Sequence, residues 1–134
     1  MAYEFQRSRK DALYITSKAN AAAGANSDAF DLEQAVGGDI EPLAVELALP
    51  AEALLSDAKV LSYALQDSAD GVTFAQVDPC GVITTQTGAG GAGVAAKTVR
   101  FRLPPITRRY IRIAQTVTAT PGTLSGSFTV SLLF

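Results

Sequence analysis

From Pro42 onward the chain alternates large apolar residues with small or polar ones, in short runs that glycine or proline ends. Leu43, Val45, Leu47 and Leu49 fall on one side of an extended chain, and Ala44, Glu46 and Ala48 on the other. Side chains repeat every two residues along a strand and every 3.6 along a helix, so this pattern specifies half-buried strands. The same alternation returns in Leu61-Tyr63-Leu65, Val99-Phe101-Leu103, Ile111-Ile113 and Phe128-Val130-Leu132-Phe134, and Val82 to Thr87 is β-branched. About seven or eight short strands at this spacing predict an all-β sandwich or barrel. Its expected core is Leu43, Val45, Leu47, Leu61, Tyr63, Leu65, Phe74, Val99, Phe101, Ile111, Ile113, Phe128, Val130 and Leu132.

The turn signals divide the strands. Asp67-Ser68-Ala69-Asp70-Gly71 reads as a type I′ hairpin on its Asp-Gly pair, with Val72–Val77 as the return strand. Pro50 to Leu55 reads as one helical turn with proline at its first position. Gly88 to Gly93 has no side chain able to pack and reads as a hairpin loop. Ahead of the strands, Ser17 to Ser27 is small, polar and without period, which is linker composition. The expected organisation is an N-terminal arm and linker over residues 1–27, then a β-sandwich domain over 28–134. The arm carries Tyr3, Phe5, Leu13, Tyr14 and Ile15 as apolar anchors.

Composition removes most catalytic chemistry. The 134 residues include no histidine and one cysteine. Ser-His-Asp and Cys-His catalysis, His-based metal sites and an intrachain disulfide all fall away. Gly88-Ala89-Gly90-Gly91-Ala92-Gly93 matches a dinucleotide fingerprint, but no helix follows and no acid stands after Asp78. Asp67, Asp70 and Asp78 lack the spacing of a calcium loop. Cys80 has no base to activate it. The reading is therefore no enzyme, with no catalytic residue, no cofactor and no metal. The start is too polar for a signal peptide and no run is long enough to span a bilayer, so no membrane partner is expected. With a pI near 5.0, no nucleic-acid partner is expected either.

The charge is segregated along the chain. Residues 21–80 hold eleven acids and one cation, whereas residues 81–134 hold six cations and no acid. Two readings follow. In one, Arg100, Arg102, Arg108, Arg109 and Arg112 form a docking stripe, since opposite patches steer assembly. In the other, acidic and basic strands pair within one sheet.

The order of several segments resembles the capsid cement, or decoration, proteins of short-tailed bacteriophages, of the Bordetella podophage type. The segments are Ser27-Asp28-Ala29-Phe30-Asp31-Leu32, Asp39 to Leu43 leading into Ala44–Leu49, and Leu65 to Gly71. They continue in Phe101-Arg102-Leu103-Pro104-Pro105, Arg109-Tyr110-Ile111-Arg112-Ile113 and the terminal Ser127 to Phe134. The resemblance implies a jelly-roll-like sandwich on the outside of an icosahedral head, made in host cytoplasm and ending in the virion. It implies the major capsid protein and a second copy of the chain as partners, in a homodimer or a trimer. Tyr3, Phe5, Arg7, Arg9 and Tyr14 of the arm, with the five arginines, are the expected partner-interface residues. A rival reading is a carbohydrate-binding β-sandwich module of a phage tail or head fibre. Gln66 to Phe74 resembles the Ser-x-Asp-Gly hairpin of discoidin-like modules, although the chain has no tryptophan and four tyrosines to offer a sugar.

Overall fold

A computed structural model describes residues 10–33, 43–77 and 81–133. They form ten strands: β1 Lys10–Ala19, β2 Ala25–Asn26, β3 Phe30–Asp31, β4 Ala44–Leu49, β5 Val60–Ser68, β6 Ala75–Gln76, β7 Val82–Thr87, β8 Lys97–Arg102, β9 Tyr110–Val117 and β10 Ser127–Leu133. Sheet A has the order β1-β10-β4-β8, and sheet B runs β2-β9-β5-β6 with β3 also on β9 and β7 also on β5. All the pairings are antiparallel.

Two of the edges are single strands interrupted once. β2 and β3 line the same side of β9, against Gln115-Ala114 and Ile111-Tyr110. β6 and β7 line the same side of β5, against Asp67-Gln66 and Ala64 to Val60. Counted as one each, they leave eight strands in two sheets of four. The first strand then pairs with the last, the second with the seventh, the third with the sixth and the fourth with the fifth. This nested pairing is a long hairpin rolled on itself, which is the jelly roll.

The sheets bury their inner faces against each other. Tyr63 of sheet B meets Phe128 of sheet A edge to face, with ring centroids 5.3 Å apart. Ten of the fourteen expected core residues are buried, among them Val45, Leu47, Tyr63 and Phe128. Leu43 and Phe101 are partly buried against the core. Val99 is half-buried on the edge strand β8, and Phe74 lies half-buried outside the core, beneath Arg112.

Four expectations need correction. Residues 10–27 are no arm or linker: β1 is the first strand of sheet A, registered on β10 from Ile15↔Ser131 to Ala19↔Ser127, and Ala25–Asn26 pairs with β9. Three consecutive large residues, Leu13-Tyr14-Ile15, hide the inward face, which Tyr14 and Thr16 supply. The Asp-Gly hairpin is no two-residue turn, because Asp67 and Ser68 still belong to β5. Ser68 Oγ accepts the Asp70 and Gly71 N–H groups, and Asp70 Oδ1 accepts those of Val72 and Thr73, so side chains build a wider loop. The return strand shortens to Ala75–Gln76. Pro50 to Leu55 forms no helix; Glu52 and Leu55 make bridges to Val94 and Gly122 instead. Gly88 to Gly93 is no hairpin loop, since it carries the chain from β7 in sheet B to β8 in sheet A. Gly93 has φ +68°, and a Cβ there would collide with the backbone of Glu52 and Ala53.

Candidate functional site

The sandwich presents two outward faces and two ends. On the outward face of sheet A one row runs Arg100–Glu46–Ser131–Ile15 across four strands. Arg100 Nε donates to Glu46 Oε2 at 2.9 Å. Arg102 stands exposed opposite Ala44. At the far edge, β1 turns Tyr14 inward onto Phe30, with centroids 6.1 Å apart, and therefore turns Leu13 and Ile15 outward. Leu13 is 82% exposed and Ile15 40%. This face combines an apolar edge and a cationic edge, with Ala48 and Thr129 half-buried between them and Glu46, Ser131 and Leu133 buried.

The outward face of sheet B is different. Rows of hydroxyls and amides cover it: Thr116–Ser62–Thr85 and Arg112–Gln66–Gln76. Arg112 Nε donates to Gln66 Oε1 at 2.8 Å, and its guanidinium lies over the Phe74 ring, 4.1 Å from the centroid. Partial burial lowers the Arg112 pKa from its ordinary value. Beside it, Arg109 clasps Asp31 through Nε and Nη2 at 2.7 and 2.8 Å and stands 5.2 Å from the Tyr110 centroid. The clasp holds the Asp31 carboxyl below the usual range and raises the Arg109 pKa.

Arg108 belongs to neither face. It closes one end of the sandwich on the buried Asp67. The backbone N–H of Arg108 donates to Oδ2 at 2.9 Å, while Nε and Nη2 donate to Oδ1 at 3.1 and 2.8 Å. This bonding raises the Arg108 pKa.

The five arginines thus form no single stripe. Arg100 and Arg102 lie on sheet A, Arg109 and Arg112 on sheet B, and Arg108 at an end. Three of them pair with acids of the middle segment, but only Arg100 with Glu46 does so across paired strands, as the cross-strand reading expects; Arg108 and Arg109 precede β9. Tyr14, expected at a partner interface, packs into the molecule. Tyr3, Phe5, Arg7 and Arg9 lie outside the described residues, as do Asp39, Glu41, Asp78, Cys80 and Phe134.

The opposite end holds a network that sequence reasoning missed. Glu52 is fully buried. Its Oε1 accepts Asn20 Nδ2 and the Gly126 N–H, and its Oε2 accepts the Ser125 N–H, all at 2.8 Å. Tyr63 donates its hydroxyl to Asn20 Oδ1 at 2.9 Å, with Gln86 Oε1 at 3.3 Å. Gln86 Nε2 donates to the carbonyls of Pro50 and Ala95. Burial first, then the nearby Glu52 charge, push the Tyr63 pKa up to about 12 against the lowering effect of Asn20. Gln115, opposite Tyr63, accepts the Ala21 N–H and leaves its Nε2 buried without a partner among the described residues.

No protein-family model and no curated protein sequence matches the chain. Among solved structures it is similar to PirA at 12% identity and TM-score 0.47, over 94% of this chain and 97% of that one. A xylan-binding module, CBM15, is similar at 13% identity and TM-score 0.42, over 92% of each chain. An infectious bursal disease virus structure is similar at 14% identity and TM-score 0.40, where the match covers 90% of this chain and 30% of that one. At these scores the likenesses add nothing to the strand order described above.

Proposed function

We propose that the protein is a structural virion component, a capsid cement protein that binds the outer surface of an icosahedral phage head and reinforces contacts between major capsid subunits. The reading rests on the outward face of sheet A. Leu13 and Ile15 stand exposed at one edge, and contiguous exposed apolar groups mark association sites. Arg102 stands exposed at the other edge, where it meets an acid of a capsid subunit, beside Arg100, which Glu46 holds; arginine is enriched at such interfaces. The nested sheets hold both edges in fixed relation, which suits a rigid clamp. Each contact is weak, and many copies, with a second copy of the chain as dimer partner, make the binding strong by multivalency.

Co-sedimentation with empty heads of the phage tests this. The pair Leu13→Asp with Ile15→Asp, at exposed positions, abolishes decoration and leaves the melting temperature unchanged. Undiminished decoration by that variant removes sheet A as the docking face. Failure of the parent protein to sediment with heads removes the cement reading.

A further inference from the structure

Arg112 is half-buried yet faces no carboxylate among the described residues. Arg100, Arg108 and Arg109 each face a carboxylate. Arg112 faces Gln66 in the register, an amide that satisfies Nε and adds no charge. Its two terminal amino groups make no further hydrogen bond among the described residues. The guanidinium is nonetheless half-buried and pinned flat on Phe74. Withdrawing a cation from water without an anion beside it is unfavourable, and an anion supplied from outside would relieve that. The Nε bond and the ring fix the fork, which leaves planar paired donors ready for a carboxylate.

The surroundings say which carboxylate. An acidic peptide would meet a protein interface, whose centre is depleted in serine and alanine. Here the neighbours are Ser62, Ala64, Gln66, Gln76 and Thr85. Such a paving of hydroxyls and amides matches the alternating donors and acceptors of sugar hydroxyls. Ala64 and Ala114 are directly paired in the middle of the face, Ala64 half-buried and Ala114 buried, so a sugar is met by the polar side chains that flank them.

We propose that the outward face of sheet B binds acidic polysaccharide, with Arg112 receiving a uronate carboxylate and Gln76 and Ser62 meeting ring hydroxyls. The site is independent of the docking face on sheet A. On a particle it would turn outward and attach the shell to an acidic glycan.

Titration calorimetry with oligomers of polygalacturonate, alginate and hyaluronate tests the site. Carboxyl-reduced polygalacturonate and polyglutamate serve as comparators. At least one uronate polymer binds the parent, and the reduced polymer and polyglutamate bind at least about tenfold more weakly, equivalent to about 1.4 kcal/mol. Arg112→Lys, which keeps the charge and loses the fork, weakens uronate binding by about tenfold. Gln76→Ala, at an exposed edge position, weakens it severalfold with the fold intact, and Arg100→Gln on sheet A changes nothing. The proposal is overturned if no uronate polymer binds, if polyglutamate or the reduced polymer binds equally well, or if Arg112→Lys and Gln76→Ala bind like the parent. Head decoration is measured in parallel; its loss in Leu13→Asp with Ile15→Asp, at unchanged uronate binding, separates the two faces.

Discussion

At one end of the sandwich the loops after β1, β4, β7 and β9 meet around Glu52; at the other, the loops after β5 and β8 meet around Asp67 and Arg108. The first end buries a carboxylate among neutral donors, two of them backbone N–H groups, with no cation against it among the described residues. The second end uses an arginine–aspartate pair in which Asp67 is buried and the Arg108 guanidinium stays partly in water. Burial decides the difference. A carboxylate that is fully enclosed must have its lone pairs filled, and each donor it holds would be orphaned without it. A pair near solvent gains less and loses less.

The largest expected effect is therefore at the first end. Glu52→Ala leaves the buried Asn20 amide and the partly buried Ser125 and Gly126 N–H groups unpaired. At about 1–3 kcal/mol for the buried donor and less for the other two, it should destabilise the domain by about 2–4 kcal/mol in urea unfolding. Glu52→Gln, which keeps one acceptor oxygen, should cost visibly less. Equal costs would mean that the cavity matters and the hydrogen bonds do not. Gly93→Ala should damage the same end from outside, because its Cβ meets the Glu52 backbone at a positive φ.

The two ends should also fail at opposite extremes of pH. Asp70, in the loop after β5, is held down to about 2, chiefly by the Thr73 and Val72 N–H groups and then by the Ser68 hydroxyl. A folded pKa below the unfolded one gives stability that is present above the unfolded value and lost as pH falls through the folded one. Amide exchange at Val72 and Thr73 should rise first between about pH 4 and 2. Tyr63 moves the other way. Its contribution is intact below about pH 10 and lost as pH climbs toward 12, so Ser125 and Gly126 should open first in alkali. A single uniform opening at both extremes would erase the distinction.

The smallest effect belongs to the exposed clasp. Asp31→Asn should barely move the melting temperature, and added salt should remove what it does.

The sequence and the structure meet unevenly across this comparison. Period-two alternation marks β4, β5, β8, β9 and β10, because each buries one face in the shared core. The two-residue strands β2, β3 and β6 are too short to show a period. The Leu13-Tyr14-Ile15 run masks the face of β1. Glu52 sits in a proline-led stretch that imitates a helix start, and its donors come from residues 20, 125 and 126. No local pattern can announce a carboxylate whose partners lie that far along the chain. The charge split was visible, yet its meaning needed the nesting order. In a rolled hairpin the first half of the chain pairs with the second. An acidic middle and a basic C-terminal part therefore supply Glu46 to Arg100, Asp31 to Arg109 and Asp67 to Arg108.

That the segregated charges serve nested pairing inside one chain is tested most directly by a double-mutant cycle on Asp67 and Arg108. Stability is measured by urea unfolding for Asp67→Asn, Arg108→Gln and the two together, beside a mismatched cycle of Asp67→Asn with Arg100→Gln. Charged hydrogen bonds of this kind predict a coupling of about 1.5–3 kcal/mol for the true pair and additivity within about 0.5 kcal/mol for the mismatched one. Additive losses in both cycles would contradict the account and return the arginines to the surface as free docking groups.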